Sequence, residues 1–125
     1  MLRKLEIVLV DDEDQITTLL EAYIQLAIRD TRIHTFNDPI AAKEFIKRNQ
    51  VDVLITDYKM PHLNGIQLAE SVPAHVCKVI ISGYTSVITD EKLQKLNATF
   101  FMKPVPLRSL TKIISEQQEK VCHAS

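Results

Sequence analysis

The sequence predicts an α/β protein: a doubly wound parallel sheet of five strands with helices on both faces. Two patterns carry this prediction. Five short runs of apolar and β-branched residues alternate with segments whose apolar residues recur at the three-to-four-residue spacing of a helix. The first run, residues 5–10, is almost continuously apolar, as strands are when helices cover both faces of a parallel sheet.

Each element has its own local signal. The predicted strands are residues 5–10, 33–36, 51–56, 76–81 and 99–102, and the predicted helices are residues 16–27, 39–49, 66–72, 90–96 and 106–121. Asp38 followed by Pro39 is a typical helix start, because aspartate caps free amide groups and proline fits the first turn. β-branched residues just before Asp90 disfavour helix, so we expect the fourth helix to begin near that residue.

Composition restricts the class of protein. A chain of 125 residues with 46% apolar content fits one domain with one core. A formal net charge of -1 without a basic run gives no electrostatic case for nucleic acid or an anionic membrane. Cys77 and Cys122 lie far apart without metal-ligand spacing, which favours a reducing compartment. We expect a cytoplasmic domain with no membrane partner and no direct nucleic-acid partner.

Polar residues stand where the predicted strands end. Asp11 and Asp12 follow the first strand and Asp57 follows the third. Ser82 follows the fourth strand and Lys103 follows the fifth. Right-handed crossovers bring the carboxyl ends of parallel strands to one edge of the sheet, where doubly wound proteins bind their ligands. We therefore expect these five side chains to converge on one crevice.

The three carboxylates predict a cation. At about 4 Å and an effective dielectric near 20, each pair of like charges costs roughly 4 kcal/mol. Such a cluster either takes up protons or holds a metal, and a site with only oxygen ligands suits Mg²⁺, with Mn²⁺ as a second choice. Ser82 and Lys103 are suited to bind a phosphoryl group beside that metal. Glu13 and Asp14 have a simpler explanation, since acids are favoured at the start of a helix.

Taken together, these residues resemble the receiver domains of the bacterial two-component response-regulator family. The resemblance is carried by Asp11-Asp12, by Asp57-Tyr58-Lys59-Met60-Pro61 with Gly65, by Ser82-Gly83 and by Lys103-Pro104. It covers essentially the whole chain and implies the flavodoxin-like fold of single-domain chemotaxis proteins, with strand order 2-1-3-4-5 and a cis Lys103–Pro104 bond. It also places the receiver domain at residues 1–121, followed by a tail of residues 122–125.

The resemblance implies a role for each site residue. Asp57 is the phospho-acceptor, which attacks the phosphorus of a phosphohistidine on a partner kinase. Asp12, Asp57 and the backbone carbonyl of Lys59 hold Mg²⁺ directly, and Asp11 acts mainly through bound water. The Ser82 hydroxyl and the Lys103 ammonium bind the phosphoryl group.

The resemblance further implies a switch. Phosphorylation draws Ser82 inward, and Phe100 turns into the vacated space. Phe101 competes for this role, because neighbouring strand residues face opposite sides of the sheet. Lys59 and Tyr84 stand at positions that tune dephosphorylation by controlling the access of water. We expect them to slow the loss of the phosphoryl group.

The partners implied are a sensor histidine kinase or a His-phosphotransfer protein, and a downstream effector or an output domain that follows in a longer chain. The readout surface is the fourth helix, fifth strand and fifth helix, which also offers a face for a homodimer. On this interpretation the chain is a switch that catalyses only its own phosphorylation and slow dephosphorylation. The alternative is a docking or dimerisation receiver that works without phosphorylation and whose acidic site only binds metal. A metal-dependent hydrolase is a third, less supported class.

Overall fold

One sheet of five parallel strands forms the centre of the molecule. The computed structural model describes residues 3–83 and 88–122, and all statements about structure refer to these residues. The strands are β1 (Leu5–Val10), β2 (Thr31–Phe36), β3 (Val53–Asp57), β4 (Cys77–Ser82) and β5 (Ala98–Met102). They lie in the order β2-β1-β3-β4-β5, and every neighbouring pair is parallel. The predicted sheet and its strand order are confirmed.

Helices cover both faces of this sheet. They are α1 (Asp14–Ala27), α2 (Pro39–Arg48), α3 (Gly65–Glu70), α4 (Asp90–Leu96) and α5 (Leu107–Cys122). On one face, Ile24 of α1 and Ile114 of α5 pack against β1, β3 and β4. On the other face, Ile46 of α2 and Leu68 of α3 pack against β1 and β3. Because both faces of β1 are covered, its almost continuously apolar sequence is explained.

Local signals predicted several boundaries correctly. The Asp38 carboxylate caps α2 by accepting a hydrogen bond from the Ile40 amide at 3.0 Å, and Pro39 occupies the first turn. Helix α4 begins at Asp90, as predicted, with Thr89 as its N-cap. The β-branched residues that delay this helix fall partly on residues 84–87, which lie outside the described part of the chain.

Other boundaries differ from the prediction. Strand β3 begins at Val53 rather than at residue 51, because the Asp52 carboxylate takes the Glu6 amide at 2.8 Å in place of a ladder bond. Helix α3 ends at Glu70, two residues early, since Ser71 and Val72 continue as a turn into Pro73. Helix α5 extends to Cys122, which is buried in the core although the sequence places it in the tail.

Gly65 brings the start of α3 directly against the end of β3. Its amide donates to the Tyr58 carbonyl at 2.7 Å. A Cβ atom at this position would collide with the carbonyl oxygen of Asp57 and lie 3.0 Å from the Tyr58 Cα. The obstacles are backbone atoms, which cannot rotate away. A residue without a side chain is therefore required beside Asp57.

We predict that Gly65→Ala lowers the free energy of unfolding by about 1–3 kcal/mol, as overpacking against backbone does. Gly83→Ala is the matched control, because a Cβ atom at Gly83 would meet nothing within 4 Å. The control should change stability by less than about 0.5 kcal/mol. Urea denaturation measures both variants, and equal effects would contradict the role given to Gly65.

Candidate functional site

The carboxyl ends of the strands form a cleft. Asp57 and Ser82 are the last residues of β3 and β4, Asp12 lies just after β1, and Lys103 directly follows β5. These four residues line an open cleft of about 720 Å³. The cleft is completed by Glu13, Lys59, Met60, Pro61 and Gly83. Asp11 is buried instead, with 4% of its surface exposed.

Asp57 is held in a defined position. It is only 8% exposed, and its Oδ1 accepts a hydrogen bond from the Tyr58 amide at 3.0 Å. The same oxygen lies 3.4 Å from the Lys103 Nζ, which forms an ion pair with it. Burial raises the pKa of Asp57 and the positive charge of Lys103 opposes this rise. One carboxylate oxygen is thus engaged by donors within the chain.

Asp11 is a buried carboxylate whose pKa is raised. Its Oδ1 accepts the Glu13 amide at 2.9 Å, and its backbone carbonyl accepts a hydrogen bond from the Asn37 side chain at 2.8 Å. Burial raises the pKa of Asp11 to about 6, and the charge of Asp57 adds to this effect. Near neutral pH, ionised Asp11 therefore lowers the free energy of unfolding.

The three carboxylates together fit a divalent cation. Asp11, Asp12 and Asp57 each offer one oxygen, and these oxygens lie within 4.8 Å of one another. Asp12 is exposed to the cleft, so an ion has a route from solvent. Because all the donors are oxygen atoms, the site suits Mg²⁺ rather than a metal that prefers sulfur or nitrogen.

The other residues predicted for the site differ in burial and in their contacts. Ser82 is buried, and its carbonyl accepts the Lys103 amide at 2.8 Å, which ties β4 to the segment after β5. The Lys103–Pro104 bond is cis, as the resemblance implies. Lys59 lines the cleft and is exposed. Tyr84 lies outside the described residues.

Phe100 and Phe101 face opposite sides of the sheet. Phe101 packs against the core between the sheet and α1 and α5. Phe100 is partly buried and lines a groove of about 480 Å³ beside α4, together with Asp90 and Leu93. Of the two, only Phe100 lies next to α4. Its switching role stays a prediction.

The structure revises one expectation and adds two residues that the sequence did not suggest. Glu13 lies at the start of α1, as expected, but its side chain makes no capping hydrogen bond and lines the cleft as well. Asn37 positions the Asp11 carbonyl, and the Thr56 hydroxyl donates to the Asp57 carbonyl at 2.9 Å. Asn37 carried a usable signal, because it directly follows β2 at the same edge of the sheet.

Fold and cleft together define a doubly wound α/β protein whose acidic site lies at the strand ends. Comparison with family models matches residues 7–115 to the response regulator receiver domain. The chain therefore belongs to the receiver domain family of two-component response regulators, which are signalling switches.

Relatives of known class agree with this assignment. The chain is 31% identical over 114 residues to the cyclic di-GMP phosphodiesterase response regulator RpfG of Xanthomonas campestris, covering 85% of this chain and 30% of that protein. It is 32% identical over 111 residues to a protein-glutamate methylesterase/protein-glutamine glutaminase of Vibrio vulnificus, covering 83% of this chain and 32% of that protein. The chain thus spans about a third of the length of these relatives.

Solved structures share the fold. A response regulator receiver domain protein from Clostridium thermocellum superimposes with a TM-score of 0.79 at 24% identity, covering 93% of this chain and 95% of the other. The response regulator TrrA from Thermotoga maritima, solved in complex with Mg²⁺-BeF, gives a TM-score of 0.77 at 20% identity, covering 90% and 98%. Among the described residues, no helix has the length and apolar character needed to cross a membrane.

We predict that Asp11→Asn is more stable than the native chain at pH 7.5 in the presence of EDTA, by up to ~3 kcal/mol. The pKa of Asp11 in the folded chain is about 6, above its ordinary value of 3.8, so the folded state binds the proton more tightly. Asp11 therefore lowers stability above pH 6, and this cost disappears below about pH 4. The difference in stability between Asp11→Asn and the native chain should therefore disappear as the pH falls from about 6 to about 4.

Urea denaturation at a series of pH values measures this gap. Asp14→Asn is the control, because Asp14 is an exposed acid in the first turn of α1 and its removal relieves no burial. No gain in stability is expected for the control. A stability difference for Asp11→Asn that does not change between pH 4 and pH 7.5 would contradict the prediction.

Proposed function

We propose that this chain accepts a phosphoryl group on Asp57 from the phosphohistidine of a sensor histidine kinase or a His-phosphotransfer protein. The observation that carries the proposal is the environment of Asp57. It is a nearly buried carboxylate whose Oδ1 is 3.4 Å from the Lys103 ammonium and whose oxygen atoms approach those of Asp11 and Asp12. A carboxylate, an ammonium group and two further carboxylates thus lie around one point, which supports the roles of nucleophile, charge-compensating cation and metal ligands.

The reaction is a transfer of phosphorus from nitrogen to oxygen. A carboxylate oxygen of Asp57 forms a bond to phosphorus while the bond from phosphorus to the imidazole nitrogen breaks, and the bonding electrons return to the imidazole. The ammonium group of Lys103 compensates the negative charge of the transferring oxygens. The Ser82 hydroxyl, at the end of the neighbouring strand, is proposed to donate a hydrogen bond to the phosphoryl group.

The metal proposed for this site is Mg²⁺, which Mn²⁺ can replace. Asp12, Asp57 and the Lys59 carbonyl are proposed as direct ligands, with Asp11 acting through water. Mg²⁺ supplies positive charge that lowers the energy of phosphoryl transfer. The structure of TrrA, a protein with the same fold, was solved with Mg²⁺-BeF, which supports this assignment.

The proposed output surface consists of α4, β5 and α5. Phosphorylation adds about -1.5 to -2 charges and three acceptor oxygens at the strand ends. We propose that Ser82 and Phe100 respond to this change, and that Phe100 carries it to the groove beside α4. The partner that reads the surface is a separate effector, a second copy of the chain or an output domain. The relatives are longer proteins, which agrees with an output domain in the same chain.

Phosphorylation of Asp57 is tested by intact mass spectrometry after incubation with acetyl phosphate and MgCl₂. The native chain should gain one phosphoryl mass, because the acceptor and its charge-compensating groups are all present. Asp57→Asn should gain none, and EDTA should suppress the gain in the native chain. The chain has no tryptophan, so fluorescence quenching cannot replace this assay.

Asp14→Asn serves as the matched control, since it removes an exposed acid that does not line the cleft. This control should be phosphorylated like the native chain. If neither acetyl phosphate nor a phosphorylated His-phosphotransfer protein adds a phosphoryl group, the proposal fails. The docking function without phosphorylation would then be preferred.

We also predict that replacing both Lys59 and Tyr84 by alanine speeds the loss of the phosphoryl group. Lys59 lines the cleft beside Asp57 and is proposed to shield the acyl phosphate from water, together with the Tyr84 ring. Phosphate release from the purified phosphorylated chain gives the rate. A decay rate equal to that of the native chain would contradict the shielding role.

A further inference from the structure

Lys78 is a fully buried lysine far from the acidic cleft. It lies in β4, is 0% exposed, and is among the largest buried side chains of the protein. Its neighbours Val79 and Ile81 face α1 and α5, so the Lys78 side chain extends on the opposite face, which carries α3 and α4. Within the described part of the chain no carboxylate forms an ion pair with it.

Three carbonyl groups replace the missing carboxylate. The Lys78 Nζ donates to the carbonyls of Pro73 and Val76 at 2.9 Å each, and to that of Leu96 at 2.8 Å. An ammonium group has three N–H donors, so all of them are used. Burial lowers the pKa of Lys78 to about 8, and three carbonyl acceptors favour the charged form. Lys78 is therefore an ammonium ion at neutral pH.

The three carbonyls belong to different segments. Pro73 lies in the connection between α3 and β4, Val76 directly precedes β4, and Leu96 is the last residue of α4. The Leu96 carbonyl is one of those at a helix end that lack a partner within the helix, where the helix dipole also favours a cation. A single side chain thus joins the end of α4 to the beginning of β4.

Helix α4 has few other strong attachments. None of its residues from Asp90 to Leu96 is buried. Lys92 pairs with Glu70 of α3 at 3.0 Å, but both side chains are more than 40% exposed, so this pair contributes little. The Asn97 side chain donates to the Val76 carbonyl at a long 3.4 Å. The strongest polar contact of α4 is therefore at its carboxyl end.

We propose that Lys78 is a buried clamp that fixes the carboxyl end of α4 to the sheet. The clamp adds to a backbone bond at the same place, in which the Asn97 carbonyl accepts the Lys78 amide at 3.0 Å. The carboxyl end of α4 is thus held by both the backbone and the side chain of one residue of β4. This inference does not depend on phosphorylation.

The clamp is tested by amide hydrogen exchange of the full chain at neutral pH. Lys78→Met keeps the length and the apolar stem of the side chain but removes its three donors. The amides of Leu93 and Asn97, which are bonded within α4, should exchange at least ~10-fold faster in this variant. Amides of β1 and β3 should change by much less, because they are protected by the core.

Ile24→Val is the matched control for loss of stability. Ile24 is fully buried on α1, on the face of the sheet opposite to α4. This variant should not increase exchange in α4 relative to β1 and β3. If Lys78→Met changes all amides equally, or leaves α4 unchanged, the clamp is refuted.

A second measurement uses the native chain and does not depend on the variant folding. Proton–nitrogen NMR of the lysine ammonium groups should show Lys78 protons that exchange with water at least ~10-fold more slowly than those of Lys95, whose side chain is 74% exposed. Exchange as fast as that of Lys95 would overturn the proposal. Because neither experiment uses acetyl phosphate or Mg²⁺, their failure is distinct from failure of the proposed phosphorylation.

Discussion

Crowding of three carboxylates at one edge of a parallel sheet is the constraint on which the site depends. Asp11 and Asp12 come just after β1, and Asp57 is the last residue of β3. The topology of the sheet therefore brings the three carboxylates together. Lys103 pairs with Asp57 of this cluster, and its Nζ lies 3.4 Å from the Asp57 Oδ1. The crowding of three carboxylates favours the binding of a divalent cation at this edge of the sheet.

Much of this arrangement could be predicted from the sequence because it follows from local signals and from topology. Apolar strand runs, the Asp38-Pro39 start of α2 and the delayed start of α4 are short-range features, and they were located well. Parallel order then determined which polar residues meet at the strand ends. The predicted face alternation of Phe100 and Phe101 also holds, although only the packing shows which of them lies beside α4.

What could not be predicted are contacts between segments that are distant in sequence. Lys78 lies within an apolar run, and nothing near it indicates that carbonyls of Pro73 and Leu96 satisfy its ammonium group. Likewise, the position of Asp52 gave no sign that its carboxylate would replace a bond of the strand ladder. Such partners are set by how loops close, which depends on tertiary packing more than on local preference.

Lys103 and Lys78 are stabilised as ammonium ions by different partners. Lys103 stays at the rim and faces a carboxylate, so its surroundings change when the charge in the cleft changes. Lys78 is enclosed and faces only neutral carbonyl dipoles, so nothing that happens in the cleft reaches it by direct contact. Strand β4 links the two surroundings, because Lys78 lies near its start and the carbonyl of Ser82, at its end, accepts the Lys103 amide at 2.8 Å. The two positions on β4 are roughly 13 Å apart.

The cost of burying Asp11 has a consequence for how the sequence can vary. A library of variants screened only for yield or heat resistance would accumulate neutral residues at this position, because the buried charge lowers stability. Under the proposed function, screening the same library for signalling would restore the acid. The residues enriched in one screen and depleted in the other would outline the site without any assay of its chemistry.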